Sequence, residues 1–548
     1  GSPSVIRLNT RSTLTAALSL LNQPPMRVMD KAGLPVTLAD GEAVLKGTLA
    51  LPLKKGGKPE DVRYHFAGDL LSLSTDTLVK DRSLQASKLA ITASNDRITI
   101  GGEGRIDGVG FDGEWSQAIG PGSDESRLTA QVALTPAGLE AFGVALPPGS
   151  LRGESSGQIA VDLKKGAAPR FSLRSDLAGL GVSVPQLSWS KAPATKGELR
   201  LAGRLGETPN IDAFQLNAPG LRVAGSIDLE PGGALDRVRI DRLRRGDWLD
   251  IPVQLIGRGK GNPVQVVLGG GTLDMRRAEF GGAGGQAGPP MRVALDRLQI
   301  TDTIYLTNLA GTFDTAKGMD GSFTARLNGG TPVQGRVLPQ GGRSAVRVVS
   351  DDAGGILRSA GLVKQVVGGN LSLTLLPVGS GGAFDGQLEV SNVAIQDAPG
   401  IAALVNAVSV VGLINELNGD GIYFDDVEAK FRLTPNRLTL TEASAVGASL
   451  GLSMDGVYAL DSGLIDMQGV ISPVYMFNGI GSLFTRKGEG LIGFNYRLTG
   501  AAKEPSVSVN PLSALTPGMF RELFRRPPPT PPAVQGQANP VARVPEDR

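Results

Sequence analysis

Four stretches of this 548-residue chain carry residue types whose spacing could do chemistry. Gly153-Glu154-Ser155-Ser156-Gly157 has the G-x-S-x-G spacing of a nucleophile elbow. An elbow lifts its serine between a strand and a helix and takes a histidine from later in the chain. Here Gln158 to Leu163 alternates as a strand, and the single histidine, His65, lies upstream. A turn is the expected reading, and His65, within Val62-Arg63-Tyr64-His65-Phe66, is expected on a strand. Gly257-Arg258-Gly259-Lys260-Gly261-Asn262 has the glycines and cations of a phosphate cradle. A cradle opens a helix, whereas Val264 to Leu268 alternates, so a hairpin loop is expected. Gly419-Asp420-Gly421 with Asp425 and Asp426 offers carboxylates but lacks the twelve-residue calcium pattern and its closing Glu.

Composition narrows the chemistry further. There is no cysteine, which removes disulfides, thiolate metal sites and cysteine nucleophiles. One histidine cannot build a site that needs two imidazoles. The acids are spread through turns, so no carboxylate pair stands out. Fifty-five Lys and Arg nearly cancel 53 Asp and Glu, and no cationic block is interleaved with aromatics, so a nucleic-acid groove is not expected. The sequence therefore points to a protein that is not an enzyme, with no cofactor and no metal.

What remains is a pattern of elements. Leu199-Arg200-Leu201, Ile227-Asp228-Leu229, Leu371-Ser372-Leu373-Thr374-Leu375 and Leu438-Thr439-Leu440 put aliphatic side chains on one face of a strand and small or charged ones on the other. Between such runs stand Asp107-Gly108, Asp112-Gly113, Asp385-Gly386 and Asp455-Gly456, the dipeptides of tight hairpins. The 76 glycines fit many turns. The fold expected is mainly β, a long twisted antiparallel β-sheet curled into an elongated groove, with a few short helices near the C-terminal end. Three helices are expected. The first is capped by Asp351-Asp352, carries Ile356, Leu357, Ala360, Val363 and Val366, and stops at Gly368-Gly369; the others run from Pro399 to about Leu417 and from Met519 to Phe524. Gly281 to Pro290 reads as a linker, and residues 527–548 as a disordered Pro-rich tail. No run reaches the roughly 18 apolar residues of a membrane span.

Certain blocks resemble the AsmA-like family in its large-protein branch. In the C-terminal half they are Ala353-Gly354-Gly355-Ile356-Leu357, Gly368-Gly369-Asn370-Leu371, Asp397-Ala398-Pro399-Gly400, Gly419 to Asp425, and Pro505 to Phe524. In the other half, Gly47 to Leu53, Leu187 to Lys191 and Ile211 to Phe214 are similar to the family's repetitive central region. Together they span most of residues 40–525. On this resemblance residues 3–285 form the repetitive β-sheet region and 286–526 the C-terminal β domain with short helices. The resemblance implies a bridge-like lipid transfer protein of the bacterial envelope, in the periplasm, moving phospholipid between inner and outer membranes and contributing to outer-membrane biogenesis. The family's N-terminal membrane helix is not in this sequence, and Gly1-Ser2 has the look of a tag remnant, so the expectation is a piece of a longer protein anchored to the inner membrane through that helix.

Elementary physics bears on the same point. A sheet with one aliphatic face must cover that face with a second layer or with a guest. With 5% aromatic residues, a shallow aliphatic lining is expected rather than a thick interlocked core. Some 25–30 strands at roughly 4.8 Å would run on the order of 120–140 Å. The lining is expected at Leu371, Leu373, Leu375, Phe431, Leu433, Leu438 and Leu440, the aliphatic phase of the clearest strands. The competing reading of the same pattern is a structural β-scaffold, adhesin-like stalk or outer-membrane assembly factor with a sealed core.

Overall fold

The computed structural model describes residues 4–24, 26–51, 62–79, 82–120, 123–142, 146–206, 208–231, 233–259, 261–278, 288–360, 365–379, 382–396, 404, 421–473, 475, 485–502, 504–516, 520–521 and 525–534. The protein is mainly β, 63% strand and 8% helix. It divides into two compact units, Gly1–Asn262 with Glu279–Gly284, and Pro263–Ala278 with Gly285–Arg548.

In the first unit fourteen strands pair antiparallel, each with the next in the ladder, from Ser4–Thr13 through Asp40–Leu51 and Arg63–Val79 to Leu235–Arg245 and Leu249–Ile256. The turns explain the meander. Asp107 and Gly108 both take positive φ, 47° and 84°, between paired Ile106 and Val109. That is the two-residue hairpin whose twist matches the strands it joins. A second sheet of three short strands, Leu151–Gly153, Leu180–Val184 and Trp189–Lys191, is inserted here. Lys191 is buried and its ammonium donates to the carbonyls of Leu177, Leu180, Ala192 and Thr195 at 2.6–3.2 Å. An interior cation needs such a full shell of acceptors.

In the second unit thirteen antiparallel strands follow one another from Met291–Gln299 to Phe494–Ala501 and Ser506–Asn510. Two short strands, Gln265–Gly269 and Thr272–Asp274, lie parallel to Met291–Gln299, which is why residues 263–278 belong here and not with the residues that precede them. Among the described residues there are 32 strands, of which 29 stand in the long ladders, within the 25–30 expected, and three in the short inserted sheet.

The first expected helix is real but shorter. Asp352 caps Ala353–Ser359 by accepting from the Gly355 N–H at 2.7 Å, and Val366 already opens the strand Val366–Val378. The β-branched Val366 and Val367 favour the strand. Gly368 and Gly369 do not stop a helix; they take φ of 68° and 83° within that strand, whose register to its partner does not shift there. Of the helix expected over 399–417 only Leu404 is described, and it is buried. Of Met519 to Phe524 only Phe520 and Arg521 are described, in a 3₁₀ turn. Residues 281–287 of the expected linker lie outside the described residues. In the tail, residues 527–534 have no helix or strand, yet the Pro532 carbonyl accepts from Arg432 at 3.2 Å; residues 535–548 lie outside the described residues.

Candidate functional site

The four stretches with chemical potential come apart in the structure. Ser155 opens the strand Ser155–Lys164 and is buried, its hydroxyl 3.3 Å from that of Ser175. His65 is exposed on the strand Arg63–Val79, and the loop with Gly257–Gly259 follows the strand Leu249–Ile256 without opening a helix. Asp425 and Asp426 stand on the strand Ile422–Thr434, where Lys487 pairs with Asp426 and, at 2.8 Å, with Glu428. Among the described residues no group of three His, Cys, Asp or Glu is placed to hold a metal.

What the ladders do assemble is an apolar face. Reading straight across paired residues in the second unit gives Val293, Gly311, Phe323, Gly335, Val348, Leu373, Leu388, Ala429, Ala443, Met454, Gly469, Tyr496 and Val509. The row beside it runs Met291, Phe313, Gly321, Val337, Val346, Leu375, Gly386, Phe431, Leu440, Gly456, Met467, Leu498 and Val507. Neither row contains a charged side chain, and the hydroxyl of Tyr496 donates to the Ser453 carbonyl at 2.8 Å. Burial pushes that phenol above its ordinary pKa, so it stays neutral. Twelve ladder steps of roughly 4.8 Å make each row about 58 Å long. The first unit has its own row: Leu45, Gly68, Ile91, Ile100, Trp115, Leu128, Val161, Phe171, Gly203, Ile211, Ile227, Val238 and Leu255.

All seven residues expected to line a groove fall on this face. Leu373 belongs to one row, Leu375, Phe431 and Leu440 to the next; Leu433 pairs with Phe384 and Leu438, and Leu371 with Val390. Their burial differs. Leu371 and Leu440 are 4% and 9% exposed, while Leu373, Leu375, Phe431, Leu433 and Leu438 are half-buried. Towards one rim the face is sealed, at Ile422, Phe424, Leu450 and Ile471, all fully buried.

Glycines and aromatic rings together keep the face shallow. A Cβ on Gly321, Gly335, Gly386 or Gly469 would run into the ring of Phe313, Phe323, Phe431 or Tyr496, its partner on the neighbouring strand. Gly47 with Phe66, Gly104 with Phe111 and Gly203 with Phe171 repeat the arrangement in the first unit. Each ring lies across a strand that has no side chain beneath it. Sequence reading missed these pairs because Gly386, read with Asp385 as a hairpin, lies inside the strand Ala383–Ile395, and only long-range register sets it opposite Phe431.

In each unit the opposite face is ionic. Arg127 with Asp162, Arg204 with Asp212, Arg242 with Asp250 and Lys430 with Glu442 pair across it in water. In the second unit an open depression of about 840 Å³ is lined by Gln334, Ser372, Glu389, Asp426 and Glu428 together with Val333, Val349, Leu371 and Val390. Near the C-terminal end this face carries a buried clasp. Arg525 joins Asp455 and, at 2.7 Å, Glu489; Glu489 accepts from the Ser453 hydroxyl at 2.6 Å, and Asp455 from Gln468 at 2.8 Å. Arg526 and Arg497 both bind Asp466 and hold its carboxyl down to about 2.

Comparison of the chain with models of protein families, with curated proteins and with solved structures finds no match in any of the three.

Proposed function

We propose that this chain is a non-enzymatic lipid carrier that holds phospholipid acyl chains along its apolar face and passes them between membranes. The single observation that carries this reading is the pair of uninterrupted apolar rows in the second unit, matched by a third in the first, with most members only half-buried. Hydrocarbon covers such a face at about 0.8 kcal/mol per buried CH₂ without asking for hydrogen bonds, and a charged head group stays at the rim, in water.

The AsmA-like resemblance adds the setting: the bacterial periplasm, with attachment to the inner membrane upstream and delivery towards the outer membrane. Among the described residues no helix is long and apolar enough to cross a membrane, which says nothing of strands. The fully buried rim at Ile422, Phe424, Leu450 and Ile471 is the feature that a sealed β-scaffold would share.

Mass spectrometry of protein expressed in a bacterial periplasm and purified gently is the test. Several phospholipids per chain are expected, and fewer when Leu373 and Leu375 are replaced by Asp. A lipid-free, soluble, monomeric wild type would overturn the carrier reading and leave the scaffold.

A further inference from the structure

Two rows on the ionic face of the first unit hold more arginine than the carboxylates beside them can answer. One row reads straight across seven strands, from Glu125–Leu134 to Leu235–Arg245: Gln131, Gln158, Arg174, Arg200, Gln215, Ala224 and Arg242. The row beside it holds Glu198, Asn217, Arg222, Arg244 and Asp250. Every arginine, glutamine and asparagine in the two rows is exposed. Glu198 accepts from Arg200, and Asp250 accepts twice from Arg242 at 2.6–2.9 Å. Both carboxylates are thereby engaged, although Glu198 also feels the charge of Arg174 and Asp250 that of Arg244. Among the described residues no ion pair holds Arg174, Arg222 or Arg244. Five arginines thus face two carboxylates, or three with Asp241 in the bulge beside Arg242.

Register makes the surplus costly. Arg174 stands directly opposite Arg200, and Arg222 directly opposite Arg244. Side chains in such pairs start about 5 Å apart, and like charges so placed destabilise a sheet. An anion lying between the two guanidinium groups reverses the sign of that interaction. All five cations are arginines, whose planar fork grips an oxyanion with two parallel hydrogen bonds.

The company these arginines keep identifies the ligand. Neither row contains an aromatic ring, which single-stranded nucleic acid needs for its bases, or a large apolar side chain to enter a bilayer. Gln131, Gln158, Gln215 and Asn217 bring amides, which donate to and accept from hydroxyls alike. Glu198 and Asp250 also accept from hydroxyls, and they repel a chain as densely charged as polyphosphate. We propose that these rows bind an acidic polysaccharide, its carboxylate or sulfate groups held between opposed arginines and its hydroxyls on the interleaved amides. Seven strands at roughly 4.8 Å give the longer row about 29 Å, room for an extended chain lying across the strands. The site is on the face away from the apolar rows, so the proposal goes beyond the lipid-carrier reading and does not depend on it.

The full chain is titrated with labelled heparin and polygalacturonate, and with dextran, long-chain polyphosphate, an oligo-dT strand and phosphatidylglycerol vesicles for comparison. Both acidic polysaccharides are expected to bind more tightly than any comparison probe and to release in about 0.5 M salt. R174Q/R222Q/R244Q removes the three arginines without ion pairs and is expected to bind about tenfold more weakly. Its Tm is expected to stay the same or rise slightly, because the opposed charges are gone. R174K/R222K/R244K, which keeps the charge and loses the fork, is expected to fall between that variant and wild type. R336Q, at an exposed arginine of the second unit, is expected to bind as wild type does. No binding of either acidic polysaccharide, equal binding of dextran, or undiminished binding by R174Q/R222Q/R244Q overturns the proposal. So does an R174Q/R222Q/R244Q that melts well below wild type, since the arginines would then serve the fold. Tighter binding of polyphosphate, oligo-dT or vesicles also overturns it, by giving the face to another ligand.

Discussion

Leu373 lies at the middle of its row, between Val348 and Leu388, half-buried, whereas Ile422 on the sealed rim is fully buried. The two positions separate a guest-binding face from a core. A carboxylate at Leu373 keeps access to water, so Leu373→Asp is expected to cost about 1–2 kcal/mol and lower Tm by less than about 6 °C, with a marked loss of co-purifying phospholipid. Ile422→Asp buries a charge with no partner and is expected to cost more than about 4 kcal/mol. Thermal melts of both variants beside lipid analysis give the answer. Equal, severe unfolding at the two positions would mean that the row is an ordinary core. The seven candidate lining residues were legible in the sequence because period-two alternation fixes which side chains share a face. Their unequal burial was not, since it depends on what packs over each one.

At the scale of elements, strand pairs are held by a device that alternation does not reveal. Gly386 stands opposite Phe431, and the ring occupies the space above the glycine. Gly386→Val forces the ring off its place and is expected to cost about 1–3 kcal/mol through overpacking, read as a lower denaturation midpoint in urea. The same substitution at Gly382, where an added Cβ meets nothing, is the comparison, although its φ of 73° adds a strain of its own. The larger steric effect belongs to Gly386, and a harmless Gly386→Val would show that the ring does not need the gap. Short helices depend on similar local detail. Asp352 was readable as a cap, but the end of its helix was set by Val366, which is drawn into a thirteen-residue strand by pairing with Ile395. Tertiary pairing overrides a helical stripe that local spacing allows.

For the molecule as a whole, an apolar face that carries a guest makes stability depend on that guest. Ligand bound to the folded state alone adds RT ln(1 + [L]/Kd), about 2.7 kcal/mol at a hundredfold excess over Kd. Removing lipid with a mild detergent and exchanging the detergent away is therefore expected to lower Tm by several degrees, and adding back phospholipid to restore it. A Tm that ignores delipidation would count against a lipid-lined face, even if some lipid had been found by mass.

The sequence by itself determined the β class and the amphipathic phase of its clearest strands, because these rest on local spacing and on residue types; of the four dipeptides it marks as hairpins only Asp107-Gly108 turns the chain, while Asp112-Gly113, Asp385-Gly386 and Asp455-Gly456 lie inside strands. It marked Leu371 to Leu375 and Leu438 to Leu440 as members of one face. Only the tertiary structure decided that thirteen such positions line up across strands without a charged side chain, that glycines and rings interleave along them, and that Arg521 and Arg525 fasten the C-terminal segment to residues 30 to 70 positions away. The reason is register. Alternation says which face a side chain takes, but the partner it meets is chosen by long-range pairing, which no local pattern encodes.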